Sequence, residues 1–186
     1  MKVKLFAALF SMLMVVSVQA QHPAKHPAAK KHAVQHQKAA MAKNHEMNMA
    51  HAYKAMKRTN KAIALAHGAV KKGKNYTGDL SKAIHHQRYA KHLLKNGKAN
   101  RAILHTRVAR KHAFLAIRAN KSTYDRTLEF NDEETKLIGE SVGDDELEKE
   151  MKQQNPNADF DDSKITDKDL SETEVLETDP ADYKNE

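Results

Sequence analysis

The fold is decided by one stretch of the chain, residues 84–117, which reads IHHQRYAKHLLKNGKANRAILHTRVARKHAFLAI. On both sides of its centre, apolar residues recur at the three- and four-residue spacing of a buried helix face. The centre, Lys95-Asn96-Gly97-Lys98, interrupts both runs with turn-forming residues. The pattern therefore predicts two helices that fold back antiparallel on each other.

Histidines recur at a fixed spacing in this hairpin. His85 and His92 lie seven residues apart on the first helix, and His105 and His112 lie seven apart on the second. Seven residues make about two helical turns, so each pair shares a face while its members are separated by about 10.5 Å. Folding about Asn96-Gly97 predicts that His85 meets His112 and that His92 meets His105. Because a metal–imidazole bond is only about 2.0–2.1 Å long, an ion bound here would be shared between the helices.

Another helix is predicted upstream, over residues 38–72. Its buried stripe would consist of Met41, His45, Met49, Ala52, Met56, Ile63, His67 and Val70. After a loop, Asp79 is predicted to cap the next helix. If the chain also reverses at that loop, the upstream helix lies parallel to the last helix. Each residue of the upstream helix is then level with the residue about 45 positions later in the chain. His67 then lies level with His112, and the fold class is all-α, an antiparallel three-helix bundle.

Residues 1–20, MKVKLFAALFSMLMVVSVQA, have the composition of a secretory signal peptide. Lys2 and Lys4 precede an apolar run from Leu5 to Val18, and Ala20 supplies the small residue of a cleavage site. We therefore expect an exported protein, periplasmic or extracellular. No later segment approaches the ~20 apolar residues of a membrane-spanning helix, so an integral membrane protein is not expected.

The net charge of +8 conceals two blocks of opposite sign. Residues 21–124 hold 23 Lys and Arg against only Glu46 and Asp79, whereas residues 125–186 hold 7 Lys and Arg against 22 Asp and Glu. Blocks this large attract each other at low salt. All twelve histidines lie before Phe114 and therefore in the basic block.

Composition divides the mature chain into three parts. We predict a flexible His/Lys/Ala/Pro arm (residues 21–37), a His-rich basic helical domain (38–122) and an acidic, largely disordered tail (123–186). Within the tail, residues 131–154 have enough apolar side chains for a marginal fourth helix that docks on the basic surface.

The histidines are the candidate metal ligands. At one height along the bundle axis the predicted ligands are His67, His85 and His112, and at the other height they are His92 and His105. His86 would replace His85 if the helix turns by one residue. On the arm, His32 and His36 would form a two-ligand site at i, i+4 spacing. Imidazole is a good ligand for copper, zinc and nickel. Only the neutral ring binds, so mild acid should compete with the metal. The alternative for each is a solvated histidine without a ligand.

Three phrases resemble a known family. LAHG at Leu65–Gly68, AIHH at Ala83–His86 and AILH at Ala102–His105 are similar to the Ala-x-x-His helical repeats of the His-rich periplasmic small metal-binding proteins. That resemblance covers about residues 62–112. It implies a histidine-lined helical bundle that takes up copper, nickel or zinc, with His67, His85, His105 and His112 as ligands. The chain departs from the family in having fewer histidines, a Lys/Arg-rich surface and an acidic tail.

Polyanion binding is the competing function. Six basic residues are predicted on exposed helix faces, where they would attract nucleic acid or an anionic surface: Arg88, Lys91, Lys95, Arg107, Lys111 and Arg118. The acidic tail would compete for this surface. A solvated bundle without a specific ligand is the remaining alternative.

Composition also argues against several kinds of chemistry. Cysteine is absent, which excludes disulfides, thiolate zinc sites and thiol redox reactions. The basic segment has only two carboxylates, too few for a Ser/His/Asp triad or an acid/base pair without help from the tail. It also lacks a phosphate-binding glycine loop. We therefore predict that the protein is not an enzyme.

Overall fold

The computed structural model describes the backbone of residues 27–137 and 142–175, and the side chains of residues 38–136 and 142–175. Within these ranges six α-helices follow one another: α1 (Pro27–Gly73), α2 (Asp79–Lys95), α3 (Ala99–Ala119), α4 (Asp132–Leu137), α5 (Asp144–Gln154) and α6 (Asp167–Ser171). Short 3-10 helices at Arg126–Leu128 and Asp162–Lys164 accompany them. There is no strand in these two ranges, which confirms the all-α class. None of their helices is both long enough and apolar enough to cross a bilayer.

Several sequence-based predictions fall outside the described residues. The signal peptide over residues 1–20 is one of them, and the side chains of His32 and His36 are others. Helix α1 begins at Pro27, inside the segment predicted to be a flexible arm. Proline is favoured at a first helical position because its φ angle is already helical and its missing N–H would have no helical partner there.

The turns between the helices depend on left-handed residues. Gly78 (φ 81°) precedes α2 and Gly97 (φ 69°) lies between α2 and α3, and glycine adopts this conformation without a Cβ clash. Asp79 was predicted as the cap of α2, but Gly78 occupies the cap position and Asp79 is the first helical residue. Its carboxylate still lies where the helix dipole favours negative charge.

Helices α1, α2 and α3 share their apolar core. At one end Ile63 of α1, Ile84 of α2 and Ile117 of α3 belong to one buried cluster. Towards the other end Met56, Leu94 and Ile103 from the same three helices belong to a second cluster. Burial of these aliphatic faces is the main force that joins the helices.

The register between α1 and α3 agrees with the predicted offset. Asn75, just after α1, donates its backbone N–H to Oδ1 of Asn120, just after α3, at 2.9 Å and a separation of 45 residues. Further into the helices, the Thr59 hydroxyl donates to the Thr106 carbonyl at 3.3 Å, a separation of 47. The upstream helix therefore lies beside α3 at close to the predicted level.

Residues 38–48 of α1 depart from the predicted buried stripe. Met41 is 61% exposed and His45 is also exposed, and continuous burial begins only near Met49. The reason is length, since α1 has 47 residues whereas α2 has 17 and α3 has 21. An apolar stripe can be buried only where neighbouring helices reach it.

The acidic segment, residues 125–186 of the tail predicted over 123–186, is more ordered in its described part than expected. A largely disordered tail was expected, yet residues 142–175 form helices and turns with buried side chains. Leu147 and Met151 of α5 are almost completely buried, Leu147 in one cluster with Leu104 and Val108 of α3. The predicted marginal fourth helix corresponds to two separate helices, α4 and α5. Apolar anchoring and charge complementarity to the basic block account for this order.

Candidate metal centre

Two histidines meet in the interior, between α2 and α3. Nδ1 of His86 lies 3.1 Å from Nδ1 of His105, and both side chains have no solvent exposure. The two rings are stacked at a centroid distance of 5.4 Å. We call these two residues the histidine pair. A third imidazole, that of His112, lies 6.0 Å from the His86 ring at an interplanar angle of 13°.

The seam between α2 and α3 explains why His86 is the buried residue. Ala83 and Ala90 flank it on the same face of α2 and are completely buried. Small side chains at these positions allow the two helices to approach closely, and the imidazole of His86 then fills the space between them. His85, one residue earlier, is rotated by about 100° around the helix and lies at the edge of the seam.

Hydrogen bonds assign the hydrogen positions in the histidine pair. Nε2 of His105 lies 3.2 Å from Oε2 of Glu150 on α5. Glu150 also accepts a 2.9 Å hydrogen bond from Nε of Arg101, and this contact is the main reason that the pKa of Glu150 is lowered. An ionised carboxylate only accepts, so Nε2 of His105 carries the hydrogen and its Nδ1 is a bare acceptor.

His86 must then supply the hydrogen between the two rings. Its Nδ1–H donates to Nδ1 of His105, which leaves Nε2 of His86 with an unshared electron pair. That nitrogen is buried and has no hydrogen-bond partner within the described part of the chain. A buried polar atom without a partner costs about 1–3 kcal/mol. The site therefore contains a buried nitrogen with an unshared electron pair, on a ring that lies next to a second imidazole.

His112 has a similar arrangement on the other side of His86. Its Nδ1 lies 2.9 Å from Oδ1 of Asp79, the first residue of α2. The carboxylate fixes the hydrogen on Nδ1 and leaves Nε2 of His112 bare in the neutral ring. Histidines that bind metals commonly have a carboxylate on the nitrogen opposite the metal. Both His105 and His112 have this kind of partner.

Burial keeps the histidine pair neutral. The pKa of His86 falls to about 3, first because burial disfavours the charged ring and then because His105 and His112 lie nearby. Burial also lowers the pKa of His105, an effect that the hydrogen bond to Glu150 opposes. Both rings are therefore uncharged at neutral pH, as metal binding requires.

Other predicted ligands lie in different surroundings. His85 contacts the Phe160 ring edge-on at 5.6 Å and Nδ2 of Asn155 at 3.3 Å. His92 is exposed beside Asn96. His67, predicted to join His85 and His112, is buried and has its Nδ1 3.7 Å from Oδ1 of Asp167. The structure thus brings together His86, His105 and His112, and not the predicted partners His85 with His112 or His92 with His105.

The donor geometry of the histidine pair suits one shared ion. Two ligands at about 2.0–2.1 Å from a metal are separated by about 2.9–3.4 Å in square-planar or tetrahedral geometry, and the two Nδ1 atoms are 3.1 Å apart. Among the side chains of residues 38–136 and 142–175, no group of three or more His, Asp or Glu already converges as a metal site. The pair accordingly offers two ligands.

The acidic segment contacts four of the six residues of the predicted polyanion surface. Arg88 lies 2.8 Å from carboxylates of Asp169 and Glu172, and Lys111 lies 2.7 Å from Asp144. Arg107 also pairs with Asp144, and Lys91 donates to the carbonyl of Glu172. We call Arg88, Lys91, Arg107 and Lys111 the basic face.

Sequence reasoning missed two residues of the site, Arg101 and Glu150. Charge alone gives no indication that either residue has a partner 49 residues away in the chain. A usable signal was the i, i+4 pair Leu147 and Met151, which predicts one docked face of a short helix. Docking of that face on α3 places Glu150 at the edge of the seam.

Comparison with known proteins gave no match, whether with protein-family models, curated proteins or solved structures. The resemblance to the His-rich periplasmic small metal-binding proteins therefore stays a prediction.

Proposed function

We propose that the protein binds a divalent transition metal, copper, zinc or nickel, at the histidine pair. The observation that carries the proposal is the 3.1 Å separation of the Nδ1 atoms of His86 and His105, which belong to two buried and neutral rings. Nε2 of His86 has no hydrogen-bond partner among the described residues. Water would complete the coordination shell.

Metal binding would move one hydrogen within the histidine pair. A bound ion would take the place of the hydrogen between the two Nδ1 atoms, and that hydrogen would move to Nε2 of His86, which has no hydrogen-bond partner among the described residues. The ring of His86 is neutral before and after this change, so no net proton is released by the pair. Acid would still compete, since a protonated imidazole has no free electron pair.

The experiment compares two double variants of the full chain, purified without a His-tag or a nickel column. His86→Gln with His105→Gln removes the pair while retaining polar side chains of similar size. His85→Gln with His92→Gln is the matched control, because it removes the same number of histidines from the same hairpin. Calorimetric titration with zinc, copper and nickel should show at least a tenfold loss of affinity in the first variant only, and binding by wild type should weaken at pH 5. Equal binding by both variants would overturn the proposal.

Fold and location form part of the same proposal. An antiparallel three-helix bundle presents the pair, supported by the shared cores of α1, α2 and α3. Residues 1–20 have the composition of an export signal, so we place the mature protein in the periplasm or outside the cell. There it would bind or buffer metal without catalysing a reaction, as the resemblance to the small metal-binding proteins implies.

Polyanion binding is a second candidate because the basic face already recognises carboxylates of the chain's own acidic segment. These pairs are partly exposed, so salt and an external polyanion would both compete with them.

The test is binding of duplex DNA at low and high salt. Arg107→Glu with Lys111→Glu should weaken binding, whereas Lys149→Glu with Lys168→Glu, an equal charge change on the acidic segment, should weaken it less. Binding that both variants weaken equally, or that salt leaves unchanged, would refute a specific basic face.

A further inference from the structure

Four side chains from three structural elements are in continuous contact at the histidine pair. Arg101 of α3 donates to Oε2 of Glu150 at 2.9 Å, Nε2 of His105 lies 3.2 Å from the same oxygen, and Nδ1 of His105 lies 3.1 Å from Nδ1 of His86. The guanidinium also contacts the second oxygen of Glu150, so Arg101 holds both oxygens of the carboxylate. Its position is thereby fixed relative to α3.

We propose that Glu150 is a positioning residue that sets the tautomers of both histidines in the pair. The inference rests on the proposed function, because it assigns to the acidic segment a part in preparing the metal ligands. Glu150 does not need to touch the ion. It acts through His105, by keeping the hydrogen on Nε2 and the electron pair of Nδ1 directed at His86.

Without this carboxylate the pair has two nearly equivalent arrangements. Either ring can donate through Nδ1 to the other, since each neutral imidazole has one N–H and one bare nitrogen. In the first arrangement the bare ε nitrogen belongs to His86, and in the second to His105. Glu150 lowers the energy of the first arrangement, because only then can the Nε2–H of His105 donate to it. The hydrogen bond also makes Nδ1 of His105 a stronger ligand.

The docking of α5 on the core brings Glu150 to the histidine pair. Leu147 and Met151 anchor this helix beside α3, and Glu150 adjoins Met151 on the side that faces Arg101 and His105. The neighbouring Glu146 contacts Arg101 at 3.4 Å but is 64% exposed. Its position provides a matched control on the same helix, with the same arginine partner.

Nitrogen NMR of the imidazole rings in the metal-free protein tests the inference. In long-range proton–nitrogen correlation spectra, wild type and Glu146→Ala should show His105 with its hydrogen on Nε2 and His86 with its hydrogen on Nδ1. Glu150→Ala should show a mixture of tautomers in both rings, while Glu150→Asp, which retains the carboxylate, should restore the wild-type pattern at least partly. Hydrogen exchange of the α5 amides in each variant checks whether the helix remains docked.

Metal titration provides the second readout. Glu150→Ala should lower zinc affinity by about 10–100-fold, the usual effect of removing a carboxylate partner of a ligating histidine, and Glu146→Ala should change it less than threefold. Unchanged tautomers in Glu150→Ala overturn the role of Glu150, whatever the metal does. A wild-type protein that has the expected tautomers and binds no metal overturns the proposed function instead, so the two failures are distinguishable.

Discussion

Arg110 of α3 and Glu134 of α4 form a two-point ion pair in the interior, with N–O distances of 2.9 and 3.0 Å. The arginine side chain has no exposure and the glutamate side chain is 8% exposed. Arg110 also donates to the Thr59 hydroxyl and to the Ala55 carbonyl of α1. The pair therefore joins the start of the acidic segment to two helices of the core.

Removing the carboxylate of this pair should be strongly destabilising. Glu134→Ala leaves the guanidinium of Arg110 buried without its counter-charge, a change that typically costs about 3–5 kcal/mol. Asp159→Ala is the control, since the pair of Asp159 with Lys164 is exposed on both sides and should be worth less than about 1 kcal/mol. Urea unfolding of the two variants measures the difference, and similar losses would contradict a buried electrostatic anchor.

Stability should fall as the solution is acidified from about pH 6.5. The pKa of His86 is about 3 in the folded protein and near 6.5 in an unfolded chain. Between these values the unfolded state binds a proton that the native state does not, so acid favours unfolding, by up to about 1.4 kcal/mol per pH unit. Burial lowers the pKa of His105 as well, which acts in the same direction.

The measurement is urea unfolding at pH 7 and pH 5, above the range in which most carboxylates titrate. His86→Gln should reduce the loss of stability between these pH values by about 1–2 kcal/mol. His92→Gln replaces an exposed histidine of the same helix and should leave the loss nearly unchanged. A pH dependence that is equal in both variants would show that His86 is not a buried neutral ring.

The helical hairpin was predictable because local signals agree with one another. Helical periodicity defined α2 and α3, and Asn96-Gly97 marked the reversal between them, where Gly97 indeed adopts a left-handed conformation. The offset between α1 and α3 followed from loop lengths and helix geometry. These features depend on residues that are close together in the chain, and the sequence pattern therefore contains the information that predicts them.

Which histidine faces the seam was not decided by the same pattern. His85 and His86 differ by about 100° around α2, and an error of one residue in the buried face exchanges them. Close approach of the helices at Ala83 and Ala90 selects His86, and the spacing of seven residues gave no information on that approach.

Long-range contacts of the acidic segment were missed for a different reason. Its composition predicts disorder, because few apolar residues are spread among many charges. The order of the segment depends on partners such as Glu134 for Arg110 and Glu150 for Arg101, 24 and 49 residues apart, and composition does not reveal these pairs.

Two glycines should respond in opposite ways to alanine. At Gly78, with φ 81°, an added Cβ would lie 2.8 Å from the Phe160 carbonyl oxygen, so Gly78→Ala should cost about 1–3 kcal/mol. At Gly68, inside α1, no atom lies within 4 Å of an added Cβ, so Gly68→Ala should stabilise by about 0.5–1 kcal/mol. Thermal unfolding compares the two, and stabilisation by Gly78→Ala would rule out the tight turn at the start of α2.

Docking of α5 should depend more on Leu147 than on its ion pairs. Leu147 is completely buried and belongs to one cluster with Leu104 and Val108, and replacing such a leucine by alanine typically costs about 2–5 kcal/mol. Glu146 is largely exposed, so its pair with Arg101 contributes at most about 1 kcal/mol. Leu147→Ala should therefore accelerate amide exchange in α5 strongly, and Glu146→Ala should do so only slightly. Exchange in α1 to α3 should change little, since their two core clusters do not contain Leu147. Equal acceleration in both variants would mean that charge, and not apolar burial, holds the acidic helix over the histidine pair.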